Sequence, residues 1–433
     1  MPRPPVRPAS ARPDRRTLLA WGGALSFAAA CRAGGPRADD ADAELDERLA
    51  DLQDESGRYR PIAYDEKVPR LARLARLLAE EELDALLVEP GATLDYLCDV
   101  RWGRSERLFA LVVLADGGVL WVVPAFEAAR AERSIAAGGP SGATVAWDEH
   151  EYAWEPLASA LRDHGVRRIA IEPQARAFVA QRLSTAFGAE RVVPGIDVVR
   201  RLRGPKEPRE LELLRAASEL TQRAITAVAE RLPAGIDDHE LGRWIERAQQ
   251  RLGLRSTWVL PLLGESAAFP HGEPEGKRLE AGASVLVDTG GSLHGYQSDI
   301  TRTWVFGAAP GSDFERAWST VRDAQQRAFE ALRPGAAMAD VDRAARSVIE
   351  RAGYGAGYTV FSHRLGHGIG LEGHEEPYLD GGNALALEPG MTFSDEPGIY
   401  LAGKFGVRLE DIVVVTESGG DHFGRWQSSP LAP

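Results

Sequence analysis

The 433-residue chain lacks the short motifs of several common enzyme classes. It has no Gly-x-Ser-x-Gly nucleophile elbow, no His-Glu-x-x-His zinc motif and no complete Gly-x-x-x-x-Gly-Lys-Ser/Thr phosphate loop. Their absence argues against elbow-type serine hydrolases, zincin proteases and P-loop nucleotide hydrolases. One Asp-Thr-Gly triplet begins at Asp288. Aspartic-protease chemistry needs two such carboxylates that share a proton, and the absence of a second triplet disfavours that class too.

Cysteine is scarce, with only Cys31 and Cys98 present. Cys31 lies in the N-terminal leader described below, so Cys98 is left without a partner for an internal disulfide bond. Cys98 ends the strand-like run Asp95–Cys98. We interpret it as a small buried apolar residue rather than as a nucleophile.

Positive charge is in the minority, and the formal net charge is −13. Removal of the first 30 residues takes away five arginines and one aspartate, which moves the net charge from −13 to −17. Such an acidic protein repels nucleic acid and anionic lipid, so no nucleic-acid partner is expected. The hydrophobic content of 44% is normal for a globular protein, and the length indicates two or three domains.

The N-terminal leader has the layout of an export signal. Arg15-Arg16 precedes a mildly apolar run, Leu18–Ala30, that is too short to span a bilayer. Residues 1–30 resemble a twin-arginine signal peptide, and Ala28–Cys31 resembles a lipoprotein cleavage box, although Ala28 replaces the usual leucine. We therefore expect a periplasmic protein, tethered to a membrane if Cys31 is lipidated. The alternative is an apolar tail without function.

Composition divides the remaining chain into three segments. Residues 31–58 are rich in glycine, proline and charge, with little apolar periodicity, and are predicted to form a tether. Residues 59–203 mix helical and strand-like patterns, with a hairpin signal at Asp116–Gly118, which predicts an α/β domain. Near Gly204 a long amphipathic helix begins, and a second domain is predicted over residues 204–433.

Carboxylates and histidines in strand-like segments mark the second domain. Asp288 ends an apolar run and Asp299 follows a glycine-rich turn, so a hairpin would place both on neighbouring strands. His367, Glu396 and Glu410 follow in further apolar segments. Burial of such polar groups is costly unless something binds them, which predicts a site.

These blocks resemble metallopeptidase family M24, the pita-bread fold of methionine aminopeptidase, aminopeptidase P and prolidase. The resemblance covers most of the chain, because residues 59–203 look like the N-terminal domain of the creatinase and prolidase branch. It implies an α/β N-terminal domain followed by an α+β pita-bread catalytic domain. The motifs that carry it are Gly366–Gly370, Glu396–Tyr400 and Val407–Asp411. Matched by motif, the metal ligands would be Asp288, Asp299, His367, Glu396 and Glu410.

The resemblance implies two divalent metal ions. Four carboxylates supply about four negative charges, which match two such ions, and an oxygen-rich set with one imidazole suits Mn²⁺ while tolerating Co²⁺, Zn²⁺ or Fe²⁺. A water that bridges two metals loses a proton near neutral pH, and the hydroxide would attack the scissile carbonyl. Glu396 would act both as a ligand and as the proton shuttle.

Further roles around the metals follow from the same resemblance. His271 and His374 match residues that contact the substrate and stabilise the tetrahedral intermediate. His363 matches a residue that lines the proline side, and Arg408 matches one near the substrate's proline or carboxylate. Gly373 departs from the branched aliphatic residue usual in the family, which would loosen the strand that presents His374.

The expected function is hydrolysis of the Xaa-Pro bond, with proline-containing peptides as substrates. The sequence does not distinguish an aminopeptidase from a dipeptidase, and it leaves a homodimer open. Two alternatives are an enzyme with a diverged substrate, such as a creatinase or a lyase, and a non-catalytic peptide-binding pita-bread protein. Retention of all five ligands argues against a creatinase and against a non-catalytic binder.

Overall fold

The computed structural model describes residues 38–273 and 276–433. The predicted signal peptide, with Arg15 and Arg16, and the predicted lipid acceptor Cys31 lie outside these residues. The chain divides into two units, Met1–Glu44 and Leu45–Pro433. Of the first unit the structure describes only the start of helix α1, and the following account concerns the second. Among the described helices, none is both long and apolar enough to cross a membrane.

The elements follow one another in mixed order along the chain. The α-helices are α1 Ala38–Arg48, α2 Tyr64–Glu80, α3 Ala92–Leu97, α4 Ala128–Gly138, α5 Trp154–Asp163, α6 Ala177–Phe187, α7 Ile196–Arg203, α8 Pro208–Ala229, α9 Asp238–Arg251, α10 Ser312–Ala331 and α11 Met338–Arg351. The strands are β1 Ala85–Val88, β2 Ala110–Leu114, β3 Val119–Pro124, β4 Ala143–Trp147, β5 Ile169–Ile171, β6 Val192–Pro194, β7 Arg255–Leu263, β8 Ser284–Leu293, β9 Tyr296–Gln297, β10 Ile300–Val305, β11 Gly366–Gly368, β12 Glu375–Leu379, β13 Thr392–Asp395, β14 Gly398–Leu401, β15 Phe405–Arg408, β16 Asp411–Thr416 and β17 Gly419–His422.

A mixed six-stranded sheet with the order β4-β3-β2-β1-β5-β6 organises the N-terminal part. Strands β2 and β3 form the predicted hairpin, in which Asp116 Oδ1 accepts a hydrogen bond from the backbone N–H of Gly118 at 2.8 Å. Every residue of β1, β2 and β3 is buried, because helices cover both faces of the sheet. Strands β1 and β5 run parallel. The expected α/β N-terminal domain is confirmed.

The C-terminal part combines helices with antiparallel sheets. Strands β7, β8 and β10 form one sheet in the order β10-β8-β7, with β9 paired to β8, and a second sheet has the order β12-β11-β13-β16-β17. Strands β14 and β15 form a separate pair. An isolated bridge between Thr301 and Glu410 joins the first sheet to the chain before β16. This is the expected α+β catalytic domain.

Two apolar clusters form the core of this domain. Leu213 of α8 and Leu241 of α9 pack with Val285 and Val287 of β8 in the first cluster. The second cluster lies between helices α10 and α11 and the second sheet, and it includes Leu409. Because Asp288 follows Val287 and Glu410 follows Leu409, the two clusters fix the strand segments that present these carboxylates.

Two segments differ from the sequence expectation. Within the predicted tether, Leu45, Leu49 and Leu52 are buried in the first cluster, because they recur at helical spacing along and beyond α1. The strand-like interpretation of Asp95–Cys98 is wrong, since these residues form the end of helix α3 and its cap. Four residues are too few to separate the two periodicities. Cys98 is buried, and burial raises the pKa of its thiol to about 11, which suits an apolar role.

Candidate active site

The first two predicted ligands lie on an antiparallel hairpin. In the pairing of β8 with β10, Asp288 lies opposite Thr301, and Asp299 immediately precedes β10. Ligand atoms of Asp288, Asp299 and Glu410 all lie within 4.8 Å of one another. The bridge between Thr301 and Glu410 explains why the third carboxylate joins the pair, with the Glu410 N–H donating to Thr301 O at 3.1 Å.

The second sheet supplies the remaining ligands. His367 lies in the middle of β11, and Glu396 directly follows β13. His367 Nε2 lies 3.5 Å from Asp299 Oδ2 and 3.5 Å from Glu396 Oε1. Ligand atoms of His367, Glu396 and Glu410 again lie within 4.8 Å of one another. The structure therefore brings all five predicted ligands to one point.

Neighbouring polar groups orient these ligands. The Thr301 hydroxyl donates to Glu410 Oε2 at 2.6 Å, and the Ser394 hydroxyl donates to Glu396 Oε1 at 3.1 Å. Nδ1 of His367 lies 3.1 Å from the backbone carbonyl oxygen of the next residue, Gly368. A proton on Nδ1 would satisfy that carbonyl and leave Nε2, which faces the carboxylates, free to bind a metal.

The donor set fits divalent cations. Among the residues that the structure describes, the buried Asp288 Oδ1 has no hydrogen-bond partner, whereas Asp288 Oδ2 accepts from Arg408 Nη2 at 2.6 Å. One oxygen is thus fixed by the protein and the other is available as a ligand. Oxygen-rich sites of this kind with one imidazole suit divalent ions such as Mn²⁺.

Burial makes the carboxylates costly to ionise together. It raises the pKa of Asp299 to about 7, with a further contribution from the nearby Asp288 and Glu396. Burial, followed by repulsion from Asp299, raises the pKa of Glu410 well above its usual range. Burial alone would lower the pKa of His367, but Asp299 and Glu396 raise it to about 9. Bound cations would relieve this repulsion, because they favour the ionised carboxylates.

His374 lies against the ligand set from the outside. Its ring stacks on that of His367, with centroids 3.7 Å apart and planes 20° apart, while the residue stays accessible to solvent. Desolvation of the stacked ring, followed by the charge of His367, lowers the pKa of His374 to about 4. A neutral imidazole with one N–H at the mouth of the site can donate to a substrate oxygen.

A hydrogen-bonded wall of three residues closes another side. His363 Nε2 lies 2.8 Å from the Tyr400 hydroxyl, and the Arg408 guanidinium donates to the same hydroxyl at 2.9 Å. Arg408 is buried and also donates to Pro270 O at 3.2 Å and to Thr301 Oγ1 at 3.1 Å. Burial and the positive charge of Arg408 lower the pKa of His363 to about 3, so this imidazole is neutral.

His271 is the last of the predicted site residues. It is exposed, and its neighbour Pro270 provides the contact with Arg408. The assigned roles of His271, His363, His374 and Arg408 stay predictions.

Three residues of the site went unrecognised in the sequence. Thr301 and Ser394 hold carboxylate ligands, and Tyr400 joins His363 to Arg408. Thr301 stands two residues after Asp299 and Ser394 two before Glu396, so strand alternation places each on the ligand's face. Tyr400 is the last residue of the Glu396–Tyr400 motif. Its hydroxyl in an otherwise apolar strand was the sequence signal that could have identified it as a site residue.

Two family models match the chain. The model of metallopeptidase family M24 matches residues 212–417, and that of the Creatinase/Prolidase N-terminal domain matches residues 70–204. The probable dipeptidase PepE of Mycobacterium tuberculosis is 40% identical over 353 residues, which cover 81% of this chain and 92% of that protein.

Solved structures agree with these matches. The dipeptidase PepE from Mycobacterium ulcerans is 34% identical, with a TM-score of 0.79, and the similarity covers 86% of this chain and 99% of that one. The prolidase from Thermococcus sibiricus is 28% identical, with a TM-score of 0.74, over 86% of this chain and 100% of that one.

Proposed function

We propose that this chain, which belongs to metallopeptidase family M24, hydrolyses the Xaa-Pro bond of short peptides with two divalent metal ions. The chain is a metallopeptidase with a Creatinase/Prolidase N-terminal domain. One observation carries the proposal. Four carboxylates and one imidazole from two different sheets converge on one point, and Asp288 Oδ1 is left there without a hydrogen-bond partner among the described residues.

Asp288, Asp299, His367, Glu396 and Glu410 would hold the two ions. When bound, these ions supply Lewis acidity and a water activated for attack on a carbonyl. We propose Mn²⁺ for this role, because hard oxygen ligands dominate the set.

The surrounding side chains would handle the proton and the developing charge. Glu396 has one oxygen fixed by Ser394, and its Oε2 lies 3.8 Å from His363 Nδ1. We propose that Glu396 receives a proton from the attacking water and passes it to the proline nitrogen. The neutral His374 would donate its N–H to the oxygen that becomes negative in the tetrahedral intermediate.

The relatives favour dipeptides over longer peptides as substrates. The M. tuberculosis relative and the M. ulcerans structure both carry the name dipeptidase, and the T. sibiricus structure carries the name prolidase. We therefore propose an Xaa-Pro dipeptidase. An Xaa-Pro aminopeptidase of the same mechanism is the second candidate, since Arg408, the predicted reader of a terminal carboxylate, is engaged by four protein acceptors.

The test uses metal-stripped enzyme and four peptides. After chelation and addition of Mn²⁺, Co²⁺ or Zn²⁺, hydrolysis of Gly-Pro, Ala-Pro, Gly-Ala and Arg-Pro-Pro is measured. We expect Mn²⁺-dependent cleavage of Gly-Pro and Ala-Pro, with much slower cleavage of Arg-Pro-Pro. Faster cleavage of Arg-Pro-Pro would identify an aminopeptidase. Equal cleavage of Gly-Ala would contradict the proline specificity, and no cleavage of any peptide would favour a non-catalytic binder.

A further inference from the structure

We propose that the N-terminal domain positions His374 through an ion cluster at its junction with the catalytic domain. This cluster, called the junction cluster below, consists of Arg203, Lys206, Glu372 and Glu375. The proposal rests on the proposed function, in which His374 stabilises the tetrahedral intermediate. It assigns Arg203 and Glu375 as positioning residues that act on the substrate only through His374.

Strand geometry links Glu375 to His374. Glu375 is the first residue of β12 and His374 directly precedes it, so their side chains point in opposite directions. The His374 ring stacks on His367 at the mouth of the site, while Glu375 is buried behind it. A shift of Glu375 would therefore move His374 relative to the metal ligands.

Both oxygens of Glu375 are held by buried cations. Arg203 Nη2 donates to Oε2 at 2.5 Å, and Lys206 Nζ donates to Oε1 at 2.7 Å. The side chains of Arg203 and Lys206 are only 7% and 2% exposed. A carboxylate bound by two charged donors on opposite oxygens is fixed in position and orientation.

The guanidinium of Arg203 connects this carboxylate to the N-terminal domain. Arg203 ends helix α7, and its Nη1 donates to Thr93 Oγ1 of helix α3 at 3.2 Å. Its Nη2 also donates to Glu372 Oε2 at 2.8 Å. One guanidinium thus holds carboxylates on both sides of His374 in the sequence.

The loop that carries His374 has close contacts on one side and open space on the other. A Cβ on Gly370 would lie 2.6 Å from Glu375 Oε1 and 2.9 Å from Lys206 Cε, so the loop packs tightly on the junction cluster. A Cβ on Gly373 would meet nothing within 4 Å. Residue 373 therefore makes no side-chain contact that could hold His374. The backbone N–H of Gln297 holds the start of the loop by donating to Gly370 O at 2.9 Å, and the junction cluster holds Glu372 and Glu375 on either side of His374.

The first measurement compares two arginine variants. Arg203→Met should lower kcat about 10-fold or more, with KM changed less than about 2-fold and the metal content unchanged, because only the donor to the intermediate moves. Arg70→Met is the matched control. Arg70 is also buried and also joins the two parts of the chain, through Glu207 at 2.8 Å, but its hydrogen bonds and ion pairs in the described part of the chain go to Tyr96, Glu207 and Glu210 rather than to residues 366–375. It should leave kcat unchanged.

The second measurement is a double-mutant cycle with His374→Ala. His374→Ala alone should lower kcat roughly 10²–10³-fold without loss of metal. If Arg203 acts through His374, adding Arg203→Met to this variant should lower kcat less than about 2-fold further. In enzyme that keeps His374, Arg203→Lys retains one charged donor and should therefore be more active than Arg203→Met.

The outcomes separate this inference from the proposed function. If His374→Ala is as active as the unchanged enzyme, the role proposed for His374 fails. If His374→Ala is slow but Arg203→Met is fast, or if the two effects multiply fully, only the positioning role is refuted. Equal losses in Arg203→Met and Arg70→Met would also refute it. Should Arg203→Met not fold, Glu375→Gln keeps the side-chain shape and must show the same coupling to His374.

Discussion

Asp299 shows most directly why buried carboxylates indicate a metal site. Its ligand atoms belong to two of the close groups in this site, one with Asp288 and Glu410 and another with His367 and His374. Carboxylates this close and this buried repel one another unless cations lie between them. At this scale the sequence was informative, since the resemblance to family M24 predicted five ligands whose side chains the structure places close together.

Asp299→Ala should abolish hydrolysis and reduce bound metal together. The lost oxygen leaves the cations with fewer ligands, while both apolar clusters stay intact, so the circular dichroism spectrum should not change. Metal analysis after gel filtration and a Gly-Pro assay provide the measurement. Asp313→Ala is the control, because Asp313 is exposed and lies 3.7 Å from the equally exposed Lys404. Full metal content and normal turnover in Asp299→Ala would contradict the assignment.

Arg408 shows where sequence matching and structure point to different roles. The resemblance makes it a reader of the substrate, but its guanidinium donates to Asp288, Tyr400, Thr301 and Pro270. These contacts depend on residues up to 138 positions apart in the sequence, and no local pattern could reveal them. They favour a role in fixing the ligand Asp288.

Arg408→Lys should therefore weaken metal binding and activity together, by about 10–100-fold, the usual cost of losing an outer-shell partner of a ligand. Lysine cannot reach all four acceptors from one position. The measurement combines a metal titration with kcat/KM on Gly-Pro and Arg-Pro-Pro. We expect equal proportional losses on both peptides. A loss confined to Gly-Pro would instead show that Arg408 binds the terminal carboxylate of the dipeptide.

At the scale of elements, glycine-rich turns between apolar runs were sufficient to locate two hairpins. The β2–β3 hairpin and the β8–β10 hairpin were predicted from alternating or apolar runs around glycine turns, and the structure confirms both pairings. Short helical segments were harder to predict from the sequence. Helix α3 has only six residues. A segment this short becomes helical through packing against its neighbours rather than through its own sequence.

Gly366 of β11 supplies an element-scale test. A Cβ at this position would lie 1.9 Å from Ser394 O, so Gly366→Ala should separate β11 from β13 and displace His367. We expect a loss of about 3 kcal/mol in the free energy of unfolding, together with lost metal. Gly373→Ala is the matched control, because its Cβ meets nothing within 4 Å, and it should change stability by less than about 0.5 kcal/mol.

Thermal unfolding and metal analysis of Gly366→Ala and Gly373→Ala test this prediction. A destabilised Gly373→Ala would mean that the open space beside His374 is needed in the fold. A Gly366→Ala variant with normal stability and normal metal content would show that β11 and β13 need not approach closely for His367 to bind a metal ion.

At the scale of the whole molecule, composition predicted two domains but not the contacts between them. The two parts are joined by ion pairs such as Arg70 with Glu207 and Arg203 with Glu375, which are separated by 137 and 172 residues. Arginine supplies 47 of the 51 basic residues, so no single arginine stands out in the sequence. These ion pairs form only where the two domains pack together. Local sequence patterns do not show how the domains pack.

Export of the folded enzyme is the remaining whole-molecule prediction. We propose that Arg15-Arg16 directs the protein through the twin-arginine route with its metals already bound. Mn²⁺ binds more weakly than Zn²⁺ or Cu²⁺ to most protein sites, so an enzyme folded outside the cytoplasm would capture the wrong ion. Folding before export avoids that competition. If Cys31 is lipidated, acyl chains would then tether the enzyme to a membrane.

Cell fractionation tests each part of this proposal. Arg15→Lys with Arg16→Lys should leave active precursor in the cytoplasm, whereas the control pair Arg167→Lys with Arg168→Lys, at an exposed turn, should be exported normally. Cys31→Ala should convert membrane-bound enzyme into soluble periplasmic enzyme. Normal export of the first double variant would contradict the twin-arginine route. The peptidase assignment would stand in either case, because it depends on residues of the catalytic domain alone.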